Sequence, residues 1–96
     1  MNLVPGSTRL TADGLVGSSG NPIRVFMIHL LSDTTASTTA LNNGTLSTDT
    51  VYIQVDGIAS KGVTLNFAGG LRFPDGCYLN ADANIVSAVV TFTEEF

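Results

Sequence analysis

Ninety-six residues and a mass of 10.0 kDa suit a single domain, because so short a chain lacks the surface to build two separate cores. The apolar share of 44% is ordinary for a globular protein, and the charged share of 12% is about half the usual, which excludes charge-driven disorder. A net charge of −4 argues against a nucleic-acid partner, and a single cysteine excludes an internal disulfide framework or a multi-cysteine zinc site.

Thr occurs twelve times, Ser eight, Asn seven and Gly ten, whereas Glu, Lys, Gln and Arg are scarce. Branched side chains lose little torsional freedom on a pleated backbone, and the missing straight-chain residues remove most of the propensity for helix, so the composition is that of strands and turns. The opening Met1-Asn2-Leu3-Val4-Pro5 has neither the basic start nor the apolar run of about 7–15 residues of a secretory signal, and export by the usual route is not expected. Residues 1–22 mix proline, glycine and serine around a strand-like Arg9–Ala12. They read as an N-terminal arm or a loosely paired edge strand ahead of a domain at 23–96, pinned by a neighbour expected to be another chain. Leu3, Val4, Pro5, Arg9 and Leu10 are the candidate partner-binding residues of this arm.

From Ile23 to Leu31 both faces are apolar, with Phe26, Ile28 and Leu30 on one and Val25, Met27 and Leu31 on the other, as expected for a central strand or one covered by a partner. This run is far short of the roughly 20 residues that cross a bilayer as a helix, so the chain reads as soluble, with no membrane partner. The Ser/Thr tract Ser32–Thr39 opens a stretch, 32–50, that is a long loop or a wet edge strand. Within it Asn42-Asn43-Gly44 signals a hairpin. Val51, Ile53 and Val55 then alternate with Tyr52, Gln54 and Asp56, and Val63, Leu65 and Phe67 with Thr64 and Asn66. Pro74-Asp75-Gly76 predicts a tight turn between two short strands, since proline presets one torsion, aspartate bonds the backbone and glycine takes a positive φ. Val86, Ala88, Val90 and Phe92 alternate with Ser87, Val89, Thr91 and Thr93 as a last half-buried strand. The whole predicts an all-β chain of about six or seven strands in meander order, forming a small antiparallel β-sandwich or a jelly-roll-like barrel.

Chemistry-bearing residues are few. His29 is the single histidine and has no G-x-S-x-G nucleophile beside it, while Ser18 and Ser19 sit in a glycine-flanked loop; a strand histidine packed at an interface or partly buried is the expectation. Cys77 lacks a neighbouring base to activate it and reads as a small core residue. Asn80-Ala81-Asp82-Ala83-Asn84 has the alternating oxygens of a calcium loop, but Ile85 stands where that loop needs glycine and Thr91 where it needs a bidentate glutamate, which leaves a turn. Asn43-Gly44-Thr45 fits a glycosylation acceptor that, without a secretion signal, never meets the machinery. Arg9, Arg24, Lys61 and Arg72 are spread singly, and Glu94-Glu95 reads as a solvated end, with Phe92 and Phe96 anchoring one face. No cofactor, metal or catalytic residue is expected, and the chain reads as a non-enzyme.

Several strings together carry a family likeness. These are Arg24–His29, Thr38–Asn42, Val51–Val55, the G-x-x-x-x-F segment Gly62–Phe67, the G-[IL]-x-F-x-x-G-[ILC]-Y turn that here runs Gly70-Leu71-Arg72-Phe73-Pro74-Asp75-Gly76-Cys77-Tyr78, and Ala88–Phe92. Over residues 23–96 the chain resembles small β-rich virion proteins of tailed phages, particularly marine and cyanobacterial podophages. The resemblance implies a non-enzymatic particle component, a capsid decoration or cement protein on the outer surface of the head, made in the host cytoplasm. Its partners would be the major capsid protein and further copies of itself, with a trimer as one assembly. The alternative is a receptor- or glycan-binding module of a head or tail fibre, which the lack of Trp and the presence of only Tyr52 and Tyr78 disfavour.

Overall fold

A computed structural model of the chain describes residues 2–18 and 20–96. It is all-β, with eight strands: β1 (Leu3–Leu10), β2 (Gly14–Val16), β3 (Ile23–Ser32), β4 (Thr38–Asn43), β5 (Thr50–Asp56), β6 (Gly62–Phe73), β7 (Cys77–Ala81) and β8 (Ile85–Glu95). They form two antiparallel four-stranded sheets, ordered β1-β8-β3-β6 and β2-β7-β4-β5. No helix among the described residues is long and apolar enough to cross a membrane.

The strand pairing differs from the expected meander. Only β4 and β5 are both consecutive and hydrogen-bonded; otherwise the first strand pairs with the last, the second with the seventh and the third with the sixth. The chain is thus one long antiparallel ribbon, closed at the β4–β5 loop and rolled so that β3 also meets β8 and β4 also meets β7. Two sheets made this way are a jelly roll. The core lies between them and includes Val16, Ile23, Val25, Ile28, Leu30, Leu41, Val55, Phe73, Cys77, Leu79, Ala88, Val90 and Phe92.

Three inserted residues correct the expected faces. Phe26 is an extra residue between the pairs Val25–Phe92 and Met27–Thr91, so Val25 rather than Phe26 joins Ile28 and Leu30 in the core. Tyr52 is an extra residue between Val51 and Ile53 opposite Leu41 and Asn42; Val51 is thereby turned to solvent and Tyr52 stacks on Phe73 with ring centroids 5.3 Å apart. Val86 is likewise unpaired between Ile85 and Ser87, and it is exposed. A bulge advances the chain by one residue without advancing the ladder, so every side chain beyond it changes face.

Of the two readings of the N-terminal segment, the edge strand is the one seen: β1 pairs with β8 at eight successive positions at the edge of its sheet and β2 with β7 at three, so the segment is held by its own chain rather than standing off as an arm. The Ser/Thr tract is a loop over residues 33–37 and then enters β4, an inner strand rather than a wet edge, whose Thr39 and Leu41 are buried. Pro74–Gly76 does form a tight turn, with the Gly76 N–H donating to the Phe73 carbonyl at 3.3 Å and Gly76 at φ 101°. The strands it joins, however, belong to different sheets, and β6 is twelve residues long.

Candidate functional site

The candidate partner-binding residues all lie on β1, the free edge of its sheet. Leu3 is 60% and Val4 45% exposed, and Pro5 and Arg9 are exposed as well. Leu10 is half-buried and packs against the core. Asn2 and Phe96 bond reciprocally, the Asn2 N–H to the Phe96 carbonyl at 3.0 Å and the Phe96 N–H to the Asn2 carbonyl at 2.8 Å. Antiparallel pairs alternate from there, so residues 4, 6, 8 and 10 turn their backbone groups to β8, and 3, 5, 7 and 9 turn theirs to the free edge. Pro5 therefore falls where its missing N–H costs the β1–β8 ladder nothing and interrupts the row of donors that an unwanted strand would use.

The reciprocal bonds set the Phe96 ring, 58% exposed, on the same face as Val4, while Leu3, the next residue along β1, points to the other face. With Leu3 on one face and Val4 and Phe96 on the other, this end of the β1–β8 edge is an exposed apolar corner of the molecule. Sequence alternation anticipated the anchoring of the last residues, but it is the backbone of Phe96 that is anchored while its ring faces solvent. Glu94 departs further from expectation. It is 5% exposed, and its Oε2 accepts from the Ser18 N–H at 3.1 Å and the Asn21 amide at 2.9 Å, tying the β2–β3 connection to β8. Ser19 lies outside the described residues.

Other candidates are accounted for one by one. His29 is half-buried on the outer face of β3, its Nδ1 2.7 Å from the hydroxyl of Thr64 directly opposite on β6. Both carboxylate oxygens of Asp82 are taken by backbone N–H groups, those of Asn84 at 2.9 Å and Thr38 at 2.8 Å, so the Asn80–Asn84 segment is a bonded connection between β7 and β8. Arg24 and Arg72, distant in sequence, face each other across β3 and β6. Arg72 pairs with Glu95 at 3.0 Å, and Arg24 donates to the Gly69 carbonyl at 3.1 Å. Among the described residues no three His, Cys, Asp or Glu side chains converge, and no pocket opens.

Cys77 is fully buried, and loss of solvation pushes its thiol from an ordinary 9.0 up to about 12. Below pH 9 the thiol is protonated in both folded and unfolded chains and stability is indifferent to it. Between about pH 9 and 12 the unfolded chain ionises and the folded one does not, so this group removes about 1 kcal/mol of stability per pH unit. Urea titrations over that range should show a shallower decline for Cys77→Ala than for the parent chain, and a thiol reagent should label the parent only as it unfolds. Equal slopes, or rapid labelling of the folded chain, would contradict this. No protein-family model, no curated protein and no solved structure matches the chain.

Proposed function

We propose that the chain is a non-enzymatic structural protein of a tailed-phage particle: a capsid decoration or cement protein that binds the major capsid protein on the outer surface of the head and acts there as a homo-oligomer, a trimer being one such assembly. The family likeness of residues 23–96 suggests the role, and the jelly roll is an architecture that virion proteins share with lectins. The observation that carries the reading is the apolar corner. Three exposed large apolar side chains, Val4 and Phe96 on one face and Leu3 on the other, flank the end of the free β1 edge that two backbone bonds hold in place, and an exposed apolar edge of this kind suits a docking anchor. Repetition over a shell multiplies a modest contact into a firm one.

The reading is tested by mixing purified chain with heads that lack it. The parent chain should bind and raise the temperature at which the heads open. Leu3→Asp together with Phe96→Asp should weaken binding by about tenfold or more per anchor while leaving the melting temperature of the free chain close to the parent value. Failure of the parent to bind rejects the role; undiminished binding by the double variant rejects the corner. The fibre-module reading has less support, because Tyr52, 43% exposed, spends one ring face on Phe73 and Tyr78 is half-buried. Specific retention on a glycan array would reverse that order.

A further inference from the structure

Asn43 and Gly44 sit where β4 enters its loop, and their polar groups are held by one neighbouring element. The Asn43 amide Nδ2 donates to Asp75 Oδ2 at 3.0 Å, and the Asn43 Oδ1 accepts from the Asp75 N–H at 2.9 Å. The Gly44 N–H donates to the Gly76 carbonyl at 2.9 Å. All three partners belong to the Pro74–Gly76 turn between β6 and β7. An asparagine followed by glycine is the sequence most prone to cyclise, because no side chain on the second residue hinders the approach of its backbone nitrogen to the amide carbon.

We propose that Asn43 is a latent self-modification site latched shut by Asp75, and that release of the Pro74–Gly76 turn opens it to irreversible conversion. In the reaction the Gly44 nitrogen gives up its proton to water and attacks Asn43 Cγ. The new Cγ–N bond closes a five-membered imide, the Cγ–Nδ2 bond breaks, and ammonia leaves with the proton returned by the solvent. Water then opens the imide at either carbonyl and leaves aspartate or isoaspartate at position 43. In the folded chain the attacking nitrogen is engaged by the Gly76 carbonyl and both ends of the amide are held by Asp75, so the Gly44 N–H must be freed and the amide released from its position before the ring can close. Conversion also prevents the latch from re-forming as it was. A carboxylate at position 43 presents oxygen to Asp75 Oδ2 where an N–H donor stood, and the two like charges repel. The inference is independent of the capsid reading.

Peptide mass mapping of the full chain held at mildly alkaline pH tests it. Folded parent chain should convert at Asn43 more slowly than the same chain in urea, and Asp75→Ala should raise the folded rate by about tenfold. Equal rates in the folded parent and in urea, or no acceleration in Asp75→Ala, would overturn the proposal. If Asp75→Ala does not fold, Asn43→Asp provides the second reading. It should melt below the parent, and a melting temperature equal to the parent's would equally overturn the latch.

Discussion

Phe73→Ala is expected to destabilise the chain by about 3–5 kcal/mol, enough to lower the melting temperature by roughly 15 °C or more and to leave a domain of this size marginal. Phe73 is the largest fully buried side chain, and it closes β6 opposite Ile23 of β3. Its ring also supports Tyr52 of the other sheet at 5.3 Å and an interplanar angle of 27°. Truncation opens a ring-sized cavity between the sheets and strips one face of Tyr52. Tyr52→Ala, from a half-solvated position, should cost only about 1 kcal/mol. Urea midpoints of the two variants measure the difference; a Phe73→Ala loss no larger than that of Tyr52→Ala would mean that this side of the sandwich collapses around the cavity.

Glu94→Ala should cost about 3 kcal/mol, a large effect for a residue two from the end of the described chain. Its single oxygen Oε2 satisfies both the Ser18 N–H and the Asn21 amide, and truncation leaves those donors without it at a site 5% exposed. Gly17 opens the same connection at φ 74°, and a Cβ there would meet Glu94 Oε1 at 2.8 Å and Ile23 Cδ1 at 2.8 Å, so the backbone packs directly on the carboxyl group and cannot fill the space it would vacate. Glu94→Gln keeps an oxygen that can accept both bonds and should lose only about 1 kcal/mol. Equal losses for alanine and glutamine would assign the effect to charge rather than to the two donors.

The strand positions that the sequence made legible are those whose alternation is unbroken. Leu65 and Phe67 pack against the core, Val63 lies opposite the buried Leu30, and Ala88, Val90 and Phe92 are buried, as is Cys77. Alternation failed at Phe26, Tyr52 and Val86, because an inserted residue is indistinguishable from its neighbours until the opposing strand is known. The β1 segment was hard to read for a different reason. As an edge strand it buries one face, and the inward positions Gly6, Thr8 and Leu10 include a single large apolar side chain. β4 was obscured by Thr39 and Asn42, both fully buried, whose Oγ1 and Oδ1 have no protein partner. Pairing of β1 with β8 joins residues from opposite ends of the chain, and no local pattern encodes it. Of the candidate surface, Leu3 and Val4 were legible as exposed apolar residues in a polar segment, whereas Phe96 joins them only through the bonds to Asn2.

Those two bonds at Asn2 and Phe96 have a topological consequence. The polypeptide path is nearly a closed ring, so a short peptide bridging its ends would leave every ladder in place, and new ends could be cut in the exposed β4–β5 loop without reordering either sheet. Any additional residues at either end would depart from one point on the surface, beside Leu3 and Phe96, and a passenger attached there would project over that side of the molecule alone.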